Sequence, residues 1–324
     1  MYNKEQKERF IAEFTTNLGR KKVAVDAFEA LGRFEEKWKA DFCTRAEEEI
    51  KPAVSEIIGI RESSKKTRLS VLRAYVKWCL ANDIPNAKDD LLKIKDFGNE
   101  KIKHQMVANP QHLQRYLDTV VDKEENKTID NVFRAYFWLA YSGVKEDDVL
   151  NIKSSDVNLS SMTVTYNGKE YLLYREAYQS IKNCIELTAF RFIHPNYSDK
   201  EIYKQRASGD VLLRATIVKK ITDMRTEMSK KQRLQKYRSE VAKDDTSLDL
   251  RLSFDRVKLS GMFYRMYEAE RAGMSVDFIS VANEFMSGKE YKLDSGRNLI
   301  GAKQREIANQ YRRDYENWKD AFSN

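Results

Sequence analysis

The stretch that decides the fold runs from Tyr136 to Leu159, YFWLAYSGVKEDDVLNIKSSDVNL, and passes directly into MTVTYNGKEYLLY, which ends at Tyr174. An apolar helix runs into a Ser142-Gly143 turn, a basic residue, Lys145, follows, and acidic and apolar residues alternate into a second helix and the pair Asp156-Val157. Beyond it, Thr163 to Tyr166 and Glu170 to Leu173 alternate about Asn167-Gly168. This is the strongest short hairpin signal, because both turn residues tolerate positive φ. It is the one clear β element in the sequence.

This order of elements resembles the first active-site box of the tyrosine recombinases, the phage integrase family. In that family the basic residue after the small-Gly turn is normally arginine, so Lys145 stands in its place. The resemblance implies a fold that is mainly α with a small β-hairpin or sheet.

Working outward, residues 1–98 read as successive amphipathic helices, with Phe10, Ile11 and Phe14 in the first and Phe28, Leu31, Phe34 and Trp38 in the second. A third spans Thr44 to Ile58. In the fourth, Leu69, Leu72, Tyr75, Val76, Cys79 and Leu80 form one stripe, with Ser63 or Ser64 as the expected cap. This helix, SSKKTRLSVLRAYVKWCLANDIP, resembles the core-binding domain of phage integrases, which implies that Lys65, Lys66, Arg68 and Arg73 face DNA phosphates. A helix N-terminus with basic side chains supplies what a phosphate needs.

Asp96 to Pro110 loses the apolar period and reads as a linker. A second domain, residues 107–324, is expected beyond it, of the tyrosine-recombinase-like catalytic type, intact or degenerate. Its first helix has Asn109 as cap and Pro110 in the first turn, where proline costs least. A helix is expected from Glu176 to Thr188 and a loop from Phe192 to Asp199. Thr216 to Lys243 reads as a very basic helix, with Lys219, Lys220, Lys230 and Lys231, which either tracks a DNA backbone or is a solvated insertion. A final helix runs from Ala302 to Phe322.

Composition agrees with a folded, mostly helical protein: 324 residues, 41% hydrophobic, 33% charged, 12 Gly and 4 Pro. A net charge of +8 fits a polyanionic partner such as nucleic acid; the resemblance implies double-stranded DNA, with self-association on it. Cys43, Cys79 and Cys184 are widely spaced and form no metal pattern, so they read as buried thiols in a reducing cytosol. No apolar run is long enough to span a bilayer, so a soluble cytoplasmic protein is expected, with no membrane partner.

The resemblance implies a chemistry: a tyrosine hydroxyl attacks a phosphodiester, forming a 3′-phosphotyrosyl link and freeing a 5′-hydroxyl. Cationic side chains stabilise the nonbridging oxygens and a proton donor serves the leaving oxygen. No metal or cofactor is needed. Lys145 offers a point charge where arginine offers a planar fork, and Lys169 matches the region of the hairpin lysine. The second box, normally His-x-x-Arg, falls near LSFDRVKLSGMFYRMYEAER, where Arg256 and Arg265 are available and serine and leucine stand in the histidine places. The histidines are His104, His112 and His194, none beyond Pro195. Tyr311 and Tyr315 are the favoured nucleophile candidates, Tyr311 slightly ahead, beside Arg312 and Arg313. Tyr315 and Trp318 also fit the apolar face of a docked helix.

Three readings follow: an active recombinase, an integrase-fold DNA-binding protein without cleavage, and a helical protein-binding scaffold whose charge is incidental. Salt dependence separates the last from the others.

Overall fold

The computed structural model describes residues 1–59, 61–98, 100–120, 127–194, 197–205, 208–214, 252–286 and 300–322. The helices are α1 (Lys4–Phe14), α2 (Leu18–Trp38), α3 (Glu47–Ile57), α4 (Glu62–Ala81), α5 (Asp90–Lys93), α6 (Glu100–Lys103), α7 (Pro110–Val120), α8 (Lys127–Tyr141), α9 (Glu146–Val149), α10 (Tyr178–Glu186), α11 (Phe254–Arg271), α12 (Phe278–Met286) and α13 (Ile300–Phe322). The strands are β1 (Val157–Asn158), β2 (Thr163–Tyr166), β3 (Lys169–Leu172), β4 (Ala189–His194) and β5 (Tyr197–Gln205). The fold is thus mainly helical with a small antiparallel sheet. None of the described helices is long and apolar enough to cross a membrane.

The chain divides into two compact units, Met1–Ile102 with Asp277–Asn324, and Lys103–Val276. The break between them falls inside the segment read as a linker, although Phe97, Ile102, Met106 and Val107 within that segment are buried. Asp277–Asn324, which the sequence reading runs on from the second domain, packs in the first unit instead.

The first unit closes around aromatic rings. Tyr75 of α4 stands 5.2 Å from Phe10, 5.0 Å from Phe28 and 5.2 Å from Phe42. Inside this shell lies a charged knot that helical periodicity does not announce: Lys7 is fully buried, its Nζ 2.5 Å from Glu35 Oε1 and 3.6 Å from Asp41 Oδ2. The Tyr75 hydroxyl donates to Asp41 at 2.9 Å, and the Phe42 and Cys43 amides donate to Glu35 and Asp41, each at 3.0 Å. A buried charge is tolerable only when its partners are this complete. The α12–α13 pair belongs to the same unit, with Phe278 against Tyr315 and Gln310 Nε2 donating to Ser63 Oγ at 3.0 Å.

Ser63 and Ser64 do not cap α4. The helix starts at Glu62 with Arg61 before it and no side-chain cap, so both serines lie exposed in its first turn. An exposed first turn can leave its amides to water, which removes the need for a cap.

The second unit is built around α8, in which Phe133, Ala135 and every residue from Tyr136 to Tyr141 are buried. Helix α11 lies directly against it: a Cβ built on Gly261 would stand 1.9 Å from the Tyr141 carbonyl oxygen, so only glycine permits this approach. Phe254, at the start of α11, packs on Tyr136 at 4.7 Å. At the start of α7, the Asn109 side chain accepts from the His112 amide at 2.8 Å, the cap read from Asn109-Pro110.

The hairpin pairs Thr163 with Leu172 through Tyr166 with Lys169, and β1 adds to its other edge. Asn167 and Gly168 take φ of 49° and 71°, as the turn demands. It is not the only β element. Within the segment Phe192 to Asp199, expected as loop, Phe192 to His194 and Tyr197 to Asp199 belong to a second ribbon in which Ala189 to Ile193 pair with Gln205 to Glu201. The aromatic and β-branched residues of AFRFI and EIY favour strand.

Candidate nucleic-acid interface

Three cationic candidates of the second unit, Lys145, Arg265 and Lys169, lie at or next to the turn that ends α8. Its last turn closes as a Schellman motif: the Gly143 amide donates to the Ala140 carbonyl at 2.9 Å and the Val144 amide to Leu139 at 3.1 Å, with Gly143 at φ 102°. The turn delivers Lys145 to the start of α9, where its carbonyl accepts from Asp148 and Val149 at 3.1 and 3.0 Å and its side chain is exposed.

Two further cations reach the same turn. Arg265 Nη1 donates to the Tyr141 carbonyl at 2.7 Å, and its Nη2 lies 3.0 Å from where a Cβ would stand on Gly143. The Tyr171 ring also borders that point, at 4.0 Å, and the Lys169 ammonium sits 5.2 Å over the same ring. Lys169, on the exposed side of the hairpin, is therefore joined through Tyr171 to the turn that positions Lys145.

Arg256 occupies a different place. Ser253 precedes α11 and Arg256 lies in its first turn, so Ser253-Phe254-Asp255-Arg256 has the spacing of the second box with serine in the histidine place. The start of α11 is tied to that of α9 through Tyr136, which packs on Phe254 and donates its hydroxyl to Glu146 at 2.7 Å. The start of α11 places Arg256 in its first turn and Arg265 well inside the helix.

Behind the turn, Tyr141, Tyr174 and Tyr264 form an aromatic cluster with centroids 5.0 to 6.3 Å apart. Burial pushes all three phenols up, Arg265 opposing this at Tyr141 and Tyr174, so the hydroxyls stay protonated at neutral pH. The histidines contribute elsewhere: His112 Nδ1 accepts from the Ala108 amide at 3.2 Å, and burial lowers its pKa.

The other candidates belong to the first unit. Tyr315 is 1% exposed and stacks on Trp318 at 6.2 Å, the packing of a docked helix. Tyr311, one turn earlier on α13, is half-buried, and Arg312 and Arg313 are exposed, Arg312 lying 5.3 Å over the Phe278 ring. On α4, Lys66 is exposed and Lys65 half-buried. Arg68 donates to the carbonyl of Ile57, the last residue of α3, and Arg73 to that of Ile94 at 2.6 Å, just past α5. Each guanidinium spends part of its donor set on a helix end and keeps the rest. Lys219, Lys220, Lys230 and Lys231 lie outside the described residues. Cys43, Cys79 and Cys184 are buried and unbridged.

A search of curated proteins finds no match to this chain. Residues 1–81, which include α1 to α4, match the family model described as MrpR, N-terminal core-binding domain, so the start of the chain is similar to the DNA-binding domain that opens tyrosine-recombinase-like proteins.

Proposed function

We propose that this protein is an integrase-fold DNA-binding protein of a phage or mobile element, associating with itself on duplex DNA and acting in regulation or architecture rather than in strand cleavage. The observation that carries the reading is the match of residues 1–81 to a core-binding domain whose last helix, α4, begins with exposed Lys66 and half-buried Lys65. A helix N-terminus with basic side chains holds phosphate by charge and by free amides. The net charge of +8 and the Lys145–Lys169 surface at the box-one turn support the same partner.

Three features speak against cleavage. Lysine replaces the first-box arginine and lacks its bidentate fork. Serine replaces the second-box histidine, and Tyr315 is packed as a core residue. A second reading, strand cleavage through a phosphotyrosine, is favoured by half-buried Tyr311 beside exposed Arg312 and Arg313.

A nicked suicide substrate carrying the element's own end sequences tests both. The expected result is a salt-sensitive complex without covalent adduct. A covalent adduct that disappears in Tyr311→Phe would establish the second reading, and absence of duplex affinity at low salt would overturn both.

A further inference from the structure

The geometry points to Arg265 as a positioning residue, one that holds the box-one turn, and with it Lys145, from within the protein and makes no phosphate contact of its own. For its functional readout this rests on the DNA-binding reading above.

The carbonyls at the end of α8 carry it. Of the last four, Trp138 receives the Ser142 amide at 2.9 Å, and Leu139 and Ala140 receive Val144 and Gly143 in the Schellman turn. Tyr141, the last helical residue, is fully buried, and its carbonyl oxygen has the Gly261 backbone pressed against it. A buried carbonyl without a donor is costly. Arg265 is its donor, at 2.7 Å.

The same guanidinium reaches further. Its Nη2 borders Gly143, and its positive charge opposes the burial that pushes the Tyr174 phenol up. One planar group therefore joins the end of α8 to the turn. A lysine, whose charge sits on a single nitrogen, cannot make both contacts.

The same device recurs in the first unit. Arg45 Nη2 donates to the carbonyl of Trp38, the last residue of α2, at 3.0 Å, and Arg68 caps α3 in the same way. Arg256 differs: it lies nine residues before Arg265 (265 − 256 = 9), about 14 Å earlier along the helix axis, at the end of α11 tied to the start of α9. The structure thus sets Arg265, the holder, apart from Arg256.

The test uses the full chain, a mixed-sequence DNA duplex and a salt titration. Removing one phosphate-binding cation lowers the slope of log affinity against log salt by about 0.9. Arg265→Met is expected to weaken binding on the order of tenfold with the wild-type slope, while Lys145→Met, which removes an exposed cation at the turn, lowers the slope. A slope reduced by about one in Arg265→Met, or wild-type affinity, would overturn the assignment.

If the methionine variant does not fold, Arg265→Lys decides through hydrogen exchange of the free protein. Faster exchange at the Gly143 and Val144 amides supports the holder role, and wild-type exchange overturns it. Failure of the wild-type chain to bind DNA would defeat the functional reading and leave the exchange result to judge Arg265.

Discussion

In the first unit a cation, Lys7, is buried against two carboxylates, whereas in the second Arg265 is turned onto a neutral carbonyl at the edge of an exposed, lysine-bearing turn. Lys7 is enclosed by aromatic rings, its ammonium 5.5 Å from the Phe28 centroid and 5.6 Å from that of Phe42. Its charge is matched by acids and closed off from water, so it can do nothing but hold α1 to α2 and the turn beyond. Arg265 holds backbone without a carboxylate partner in that bond, and the ammonium groups of Lys145 and Lys169 stay on the outside. Placement decides which cations are architecture and which lie at the surface.

The largest expected effect breaks the first side of this comparison. Lys7→Met removes one partner of a buried ionic knot and leaves Glu35 and Asp41 facing each other, a loss of about 3–5 kcal/mol. Denaturant unfolding of the full chain should show the first unit melting early while the second keeps its transition. A single unchanged transition would show that the knot contributes little.

Next comes the second side. Gly261→Ala drives a methyl into the Tyr141 carbonyl, so α8 and α11 must separate, at an expected cost of about 1–3 kcal/mol. Because the same carbonyl is the acceptor of Arg265, exchange at Gly143 and Val144 should rise in parallel. Loss of stability without faster exchange there would uncouple the helix packing from the turn.

The smallest effect sharpens the contrast through pH. Burial pushes the Glu35 carboxyl up from 4.5 to about 7, against the pull of Lys7. A raised carboxyl pKa means that the folded state binds the proton more tightly, so this contribution to stability is full below about 4.5 and is lost as pH rises through about 7. The stability difference between the wild type and Glu35→Gln should therefore decline across that window in chemical denaturation. A flat difference would mean that Glu35 keeps an ordinary carboxylate pKa.

Much of the fold is legible because it is local. The stripe of α4, the Asn167-Gly168 hairpin, and Asn109-Pro110 at the start of α7 each depend on residues within a few positions. What escapes the sequence is long-range. Lys7 lies among polar residues of an amphipathic helix and reads as solvent-facing until Glu35, twenty-eight positions away, and Asp41 meet it. Gly261 reads as an ordinary helical glycine until α8 presses on it. The β4–β5 ribbon pairs Ala189 with Gln205, sixteen positions away, which no local pattern announces.

The candidate site divides in the same way. Lys145 and Lys169 are readable because the Ser142-Gly143 and Asn167-Gly168 turns fix their local setting. Arg256 and Arg265 are not, since their roles depend on where α11 starts and which carbonyl each can reach. Tyr315 carries both a nucleophile's hydroxyl and a core residue's ring, and only its burial against Phe278 and Trp318 shows which the fold uses.

The most direct test of DNA binding is the affinity of the full chain for a duplex across a salt series. Measurable binding at low salt is expected, weakening linearly in log–log form with a slope that corresponds to several neutralised phosphates. Binding that is absent at low salt, or indifferent to salt, would contradict it.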